Sequence, residues 1–235
     1  MFKNYLKIAL RILSRDKAYS FINIFGLAIG LACSLFVFLF VWDELSYDRF
    51  HEKADRIYRI AQHIHIEDRV DSALPTPPIL AYTLLQDFAQ IESTARVHKV
   101  GRSIVEYGEN RFEEPNIYGV DSSFFEVFSF KLTQGDPQIV LADPNTVVLT
   151  QSTVQKYFGE SDPLGQVLTI RQNELTVTGI IEDVPRNSHF HFDFLTSIST
   201  YPRSRSTHWF DGFCATYIVL QKGESAEKLE SQFPE

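Results

Sequence analysis

The sequence predicts an α+β protein: one N-terminal transmembrane helix followed by a mixed α/β outer domain in two packed lobes. Three observations predict it. Residues 18 to 42, AYSFINIFGLAIGLACSLFVFLFVW, hold no charged side chain. Beyond them, helical periods and period-2 alternation follow one another without a regular strand–helix repeat, the pattern of α+β rather than α/β folds. The hydrophobic share of 44% leaves ample material for a core in the residues after Trp42.

At about 1.5 Å per residue the apolar run reaches roughly 37 Å as a helix, more than the ~30 Å of a bilayer's hydrocarbon core. A cleaved signal peptide is the alternative, but its apolar region holds about 7 to 15 residues, and here the run continues through SLFVFLFVW. Cys33 follows Gly30-Leu31-Ala32, and nine more uncharged residues follow it, which does not suit a lipoprotein cleavage site. Five cations precede the run (Lys3, Lys7, Arg11, Arg15, Lys17) against Asp16 alone, while Asp43, Glu44 and Asp48 follow it. That bias places the N-terminus in the cytoplasm and residues 43–235 outside. The expected division is therefore a cytoplasmic amphipathic helix over 1–17, a transmembrane helix over 18–42 and an outer domain over 43–235.

In FKNYLKIALRILSR, Phe2, Tyr5, Leu6, Ala9, Ile12 and Leu13 share one helical face and the cations largely another. Such a helix suits the cytoplasmic membrane interface. Within the span Gly26, Gly30 and Ser34 recur every four residues, with Ala28 and Ala32 as a second small pair. A small-residue stripe lets a neighbouring helix approach closely, so the span is expected to pack against a partner helix. The net charge is -8 overall, and the basic N-terminus leaves the outer domain at -12. This argues against nucleic acid or anionic headgroups as its partner. With Cys33 in the span, Cys214 has no partner for an internal disulfide and is read as a small buried hydrophobe.

In chain order, DELSYDRFHEKADRIYRI is expected to begin as a helix with Tyr47, Phe50, Ala54 and Ile57 on one side, then to become a strand from Tyr58. Thr76 is placed to cap a helix in which Ile79, Tyr82, Leu85 and Phe88 share a face. A hairpin turns around Gly108-Glu109-Asn110, and a short helix capped near Asp121 carries four phenylalanines as core anchors. NTVVLT reads as a strand, QSTVQKYFG as a helix closed by Gly159, QVLTIRQ and ELTVTGIIEDV as a strand pair, SHFHFDFLTSIS as an alternating strand and ATYIVLQKG as the last strand. A final helix starts at ESAEKLESQF.

No constellation assigns catalysis. His51-Glu52-Lys53-Ala54-Asp55 lacks the second histidine of a zinc-protease helix, so a solvated helix face accounts for it. His189, His191 and Asp193 would project to one side of a strand, as would His63 and His65 on theirs. That is the best metal candidate, yet a structural site wants four ligands, and Phe190, Phe192 and Phe194 explain the alternation as a half-buried strand. No nucleophile elbow and no phosphate loop occur, so no catalytic, cofactor or metal residue is assigned.

KIALRILSRDKAYSFINIFGLAIGLA, DELSYDRFHEKADRIYRI, GVDSSFFEVFSFKLTQGDP, LADPNTVVLTQSTVQKYFGESDPLGQ and VTGIIEDVPRNSHFHFDF together carry a family resemblance over nearly the whole chain. The chain resembles the N-terminal part of an FtsX-like ABC-transporter permease with a MacB-like periplasmic core domain, in the style of Bacteroidota-like Gram-negative bacteria. The resemblance implies an inner-membrane permease subunit that couples ATP hydrolysis to periplasmic motion by mechanotransmission, for efflux, lipoprotein extraction or control of cell-wall hydrolases. It implies as partners a separate ABC ATPase subunit, other permease helices in a dimeric assembly, a periplasmic adaptor and an outer-membrane channel. Members of the family have several membrane helices, so the chain is expected to be a truncated part of a longer permease. Two rivals remain: a single-span receptor with an extracytoplasmic sensor domain, and an anchored hydrolase.

Overall fold

The computed structural model describes residues 2–15, 17–66, 69–73 and 75–233. It divides into two compact units, Met1–Tyr47 and Asp48–Glu235.

The first unit is helical, with α1 (Phe2–Arg15) and α2 (Lys17–Ser46). From Phe21 to Leu45 every side chain of α2 is exposed. Water does not tolerate an uncovered apolar cylinder of this length, which marks a surface meant for lipid or for another helix. Thirty residues give α2 about 45 Å, and it runs four residues past Trp42, so the folded outer unit begins at Asp48.

The second unit contains β1 (Ile57–Ile60), β2 (Gln62–Ile66), β3 (Arg69–Ala73), α3 (Pro78–Asp87), β4 (Ile91–Lys99), β5 (Ser103–Tyr107), β6 (Asn110–Glu114), β7 (Ile117–Val120) and α4 (Phe124–Val127). There follow β8 (Leu132–Gln134), β9 (Thr146–Thr150), α5 (Gln151–Phe158), β10 (Val167–Ile170), β11 (Asn173–Ile181), β12 (Phe194–Ser197), β13 (Ala215–Leu220) and α6 (Ala226–Glu230). Ten strands line up as β1-β13-β4-β7-β12-β9-β11-β10-β5-β6, with β8 hung on β11, while β2 and β3 form a separate hairpin. The pairs β12–β7 and β11–β9 are parallel and the rest antiparallel.

The two lobes expected from the sequence are not seen: residues 48–235 form a single unit, because one continuous sheet carries a core on each of its faces. Side chains alternate along a strand, and in the central strands both sides are covered. In β9, Val148 enters a core with Phe124, Phe128, Phe130, Phe190 and Phe192, while Val147 and Leu149 enter a second core with Leu168, Ile170 and Leu175. In β12, Phe194 and Leu195 divide in the same way. A third cluster packs Leu84 of α3 and Leu229 of α6 on Ile91, Ile218 and Leu220.

Local signals account for several elements. Thr150 caps α5 by accepting the Thr153 N–H at 3.3 Å, and Gly159 at φ 58 ends it. Others differ from expectation. Residues 47–56 form turns rather than a continued helix, because Asp48 adopts a left-handed conformation (φ 58) and breaks the period. Thr76 does not cap α3; its hydroxyl bonds the Cys214 carbonyl at 2.9 Å and meets the Thr216 hydroxyl at 2.7 Å. Asp121 does not cap α4 with its side chain, because its carboxylate is held by Arg96. In α3 the buried face is Pro78, Ala81 and Leu84, and Tyr82 and Leu85 are exposed.

Gly135 sits at φ +102 where the β8 end crosses β11, and a Cβ there would lie 2.6 Å from Val140 Cγ1 and 2.9 Å from the Thr178 carbonyl oxygen. Both the backbone and the space demand glycine. Gly135→Ala is expected to destabilise the outer unit by about 1–3 kcal/mol, read as a lowered denaturation midpoint. An unchanged midpoint would show that this crossing is looser than the geometry states.

Candidate functional site: the root of the outer domain

The chain passes from α2 into the outer unit through Tyr47 alone. The nine residues that follow, 48–56, form a root segment fastened at four places.

Asp48 makes the first tie. Its N–H donates to the Asn187 carbonyl at 2.8 Å, and its carboxylate accepts the His189 N–H at 3.0 Å and meets His189 Nδ1 at 2.8 Å. His189 Nε2 in turn lies 3.1 Å from the Tyr217 hydroxyl on β13. Desolvation of Tyr217 raises its pKa, so this phenol stays neutral.

His51 and Glu52 make the second. His51 Nδ1 accepts the Ser129 N–H at 3.1 Å, and the Glu52 N–H donates to Ser129 Oγ at 2.9 Å. The His51 ring is 4% exposed and packs on Phe50, Phe128 and Phe130, with centroids at 4.0, 5.3 and 5.1 Å. Its Nε2 has no hydrogen-bond partner. Burial lowers its pKa from 6.5 to about 4, against a smaller raising effect from Asp48.

Glu92 on β4 makes the third, taking Lys53 Nζ at 2.8 Å and Arg56 at 2.5 Å. Hydrogen bonds from Lys53 and then Arg56 lower the Glu92 pKa from 4.5 to about 2. In the fourth, Arg56 also donates to the Leu220 carbonyl on β13. The root is thus bound to the loop before β12, the segment after α4, and strands β4 and β13.

The sequence-based candidates fall as follows. His189 and His191 are exposed and Asp193 half-buried, with Phe190 and Phe192 buried between them, so the alternation is real although the strand begins only at Phe194. His189 is committed to Asp48 and Tyr217, and Asp193 accepts from Asn116 at 3.0 Å. Among the described residues no group of three or more metal-ligating side chains comes together. The side chains of His63 and His65 lie outside those described. Cys214 is buried, donating toward the Thr76 carbonyl at 3.7 Å, and burial pushes its thiol pKa up to about 11. Gly26 and Gly30 have no atom within 4 Å of where a Cβ would stand, and Ser34 Oγ donates to the Gly30 carbonyl of its own helix at 2.8 Å. Lys3, Lys7, Arg11, Arg15 and Lys17 are all exposed.

A groove of about 380 Å³ runs beside α3, lined by the half-buried Ile79, the exposed Tyr82 and Leu85, Glu126 and the Arg96–Asp121 pair. Arg96 grips both Asp121 oxygens, at 3.0 and 2.8 Å, and donates to the Ser204 carbonyl at 2.7 Å, so that wall is rigid.

Sequence reasoning missed Asp48, Ser129 and Glu92 as root ties. Aspartate is one of the few residues that tolerates the left-handed conformation just past a helix, which is a local signal for Asp48. Its partner stands 141 residues away, and nothing local marks that pairing.

Solved structures share this fold, among them two domains. A domain of a protein described as a permease from Porphyromonas gingivalis superposes with a TM-score of 0.66 at 22% identity, covering 77% of this chain and 82% of that one. The periplasmic region of MacB from Actinobacillus actinomycetemcomitans gives 0.59 at 19% identity, covering 80% and 84%. Behind an apolar helix long enough to cross a membrane, the chain thus carries the fold of these two domains. The MacB-like periplasmic core domain family matches residues 20–235, and the chain belongs to that family. Macrolide export ATP-binding/permease protein MacB of Neisseria gonorrhoeae is 35% identical over 89 residues, 37% of this chain and 14% of that protein. The MacB of Aggregatibacter actinomycetemcomitans is 28% identical over 85 residues, 34% of this chain and 13% of that protein.

Asp48→Ala leaves the His189 N–H and ring without their acceptor and is expected to cost about 1–3 kcal/mol, measured as a fall in the denaturation midpoint of the outer unit. The Glu92 tie has its own pH signature. Because its folded pKa lies below 4.5, its stabilisation is complete above that pH and is lost as pH falls toward about 2. Glu92→Gln should flatten the denaturation midpoint over that range; an unchanged acid limb would mean that the tie adds no stability.

Proposed function

We propose that the chain is part of a permease subunit of a mechanotransmission-type ABC transporter of the bacterial inner membrane. In this reading residues 18–42 span the membrane, residues 1–17 lie along its cytoplasmic face, and residues 43–235 are periplasmic. The subunit is not itself an enzyme: ATP is hydrolysed by a separate ABC ATPase chain, and the movement reaches the periplasmic domain through α2. The work done is export or extrusion, of an efflux or lipoprotein-type substrate. The named relatives are macrolide exporters, which supports the efflux branch. A periplasmic adaptor and an outer-membrane channel are the partners that branch requires.

The observation that carries the reading is the junction. Only Tyr47 separates the last helical residue from Asp48, and the root segment that follows is tied at four places. A slack linker would absorb a displacement of the helix end, whereas a short link into a fastened segment passes it on. Inserting a flexible glycine–serine linker of about ten residues between Tyr47 and Asp48 of the full-length permease should leave ATP hydrolysis by the assembled complex intact and reduce export at least tenfold. Export at the native rate would sink the mechanical reading.

The small-residue stripe supports a partner helix against α2. Replacing Gly26 and Gly30 together by Leu should weaken assembly of the permease, seen as loss of co-purification with its ATPase, while the outer unit keeps its denaturation midpoint. Normal assembly of the double variant would make the stripe incidental.

A further inference from the structure

We propose that His51 is an acid-released latch: with a neutral ring it clasps residues 51–52 of the root to residues 128–130, and on taking a proton it opens that clasp.

The hydrogen bonds fix the ring's state. Nδ1 accepts the Ser129 N–H at 3.1 Å, so Nδ1 carries no proton and the neutral ring must carry its proton on Nε2. The Glu52 N–H to Ser129 Oγ bond closes the clasp from the other side at 2.9 Å. Nε2 is buried without a partner, and the rings of Phe50, Phe128 and Phe130 surround the imidazole. A second proton therefore has one place to go, Nδ1, where it would point at the Ser129 N–H. The acceptor of the clasp would become a donor facing a donor, and a charge would appear inside a phenylalanine cage.

The groups around the ring are few. From its own segment Asp48 favours the cation, but its carboxylate is already engaged by His189. From the loop before β12, His189 opposes the cation. The 128–130 segment contributes Ser129 and two phenylalanines, and behind Phe128 stands the neutral Tyr217 phenol of β13. The buried ring resists protonation down to about pH 4, whereas a released ring titrates near 6.5. Glu92 stays ionised to about pH 2, so the ion-pair tie does not titrate in this window.

The sign follows from linkage. The released form binds more protons than the latched form between pH 6.5 and 4, so acid favours release. With those two pKa values the ratio of released to latched root should rise about 70-fold from pH 7.5 to 4.5. The latch is a property of the folded domain; only its effect on coupling rests on the permease reading, and failure of the latch would leave that reading standing.

Hydrogen exchange on the full chain in detergent micelles tests it. Protection factors for the Glu52 and Ser129 amides, the two N–H groups of the clasp, corrected for intrinsic exchange, should fall about 70-fold between pH 7.5 and 4.5, while those of β9 and β12 hold. His51→Gln keeps an acceptor for Ser129 but cannot titrate, and its protection should stay level across the same range. No fall in the wild type, an equal fall in His51→Gln, or simultaneous loss in β9 and β12 would each overturn the proposal. Nitrogen-15 spectra of histidine-labelled wild type provide a test that needs no variant: the His51 ring should pass from the neutral Nε2–H form to the doubly protonated form as the Glu52 and Ser129 amides lose protection. A ring that stays neutral while the segment opens overturns it equally.

Discussion

A carboxylate two residues beyond the end of a long apolar helix holds the histidine of a loop 141 residues away, and the fastening of the root segment starts from that grip. At Asp48 the chain leaves the long apolar helix and enters the sheet-rich unit. Its left-handed backbone turns the chain, its N–H and carboxylate fasten it, and His51, Lys53 and Arg56 fasten it again within eight residues. Each tie alone is modest, since solvent screens the ion pair and a single hydrogen bond exchanges one partner for another. Their value lies in number and direction, because they join one short segment to β4, β13 and two loops.

Those ties would be worth little on a soft domain. The outer unit is stiffened by central strands buried on both faces, so that neighbouring residues of β9 and β12 anchor opposite cores. Interiors packed in this way transmit strain rather than flow. The core next to the root is rich in phenylalanine: Phe124, Phe128, Phe130, Phe190 and Phe192 surround the place where His51 and His189 hold the root. Aromatic packing and polar fastening thus occupy the same corner of the domain.

How much of this was legible in the sequence depends on how local each cause is. The apolar helix, the Gly159 stop of α5, the fully buried TVVLT strand and the His–Phe alternation before β12 were readable because their signals lie within a few residues. The face of α3 was not. ILAYTLL is apolar on almost every side, so both Ile79/Tyr82/Leu85 and Pro78/Ala81/Leu84 make a plausible stripe, and only the position of β4 and β13 decides between them. Asp121 and Thr76 looked like caps because caps are what such residues usually are at those places. Arg96 and Thr216, distant in sequence, claim them instead. The root was the least legible part, since Glu92, Ser129 and His189 bear no local mark of the segment they hold.

In the proposed coupling the root moves with its domain as one body. Spin labels on Asp55 in the root and Lys131 beside the core, in the full-length permease with Cys33 replaced by serine and its ATPase bound, report on this directly. Pulsed dipolar spectroscopy should give one narrow distance distribution, unchanged between the nucleotide-free and ATP-trapped complexes at neutral pH. A shift or a second distance on ATP binding would mean that the root yields under load, and would contradict the account.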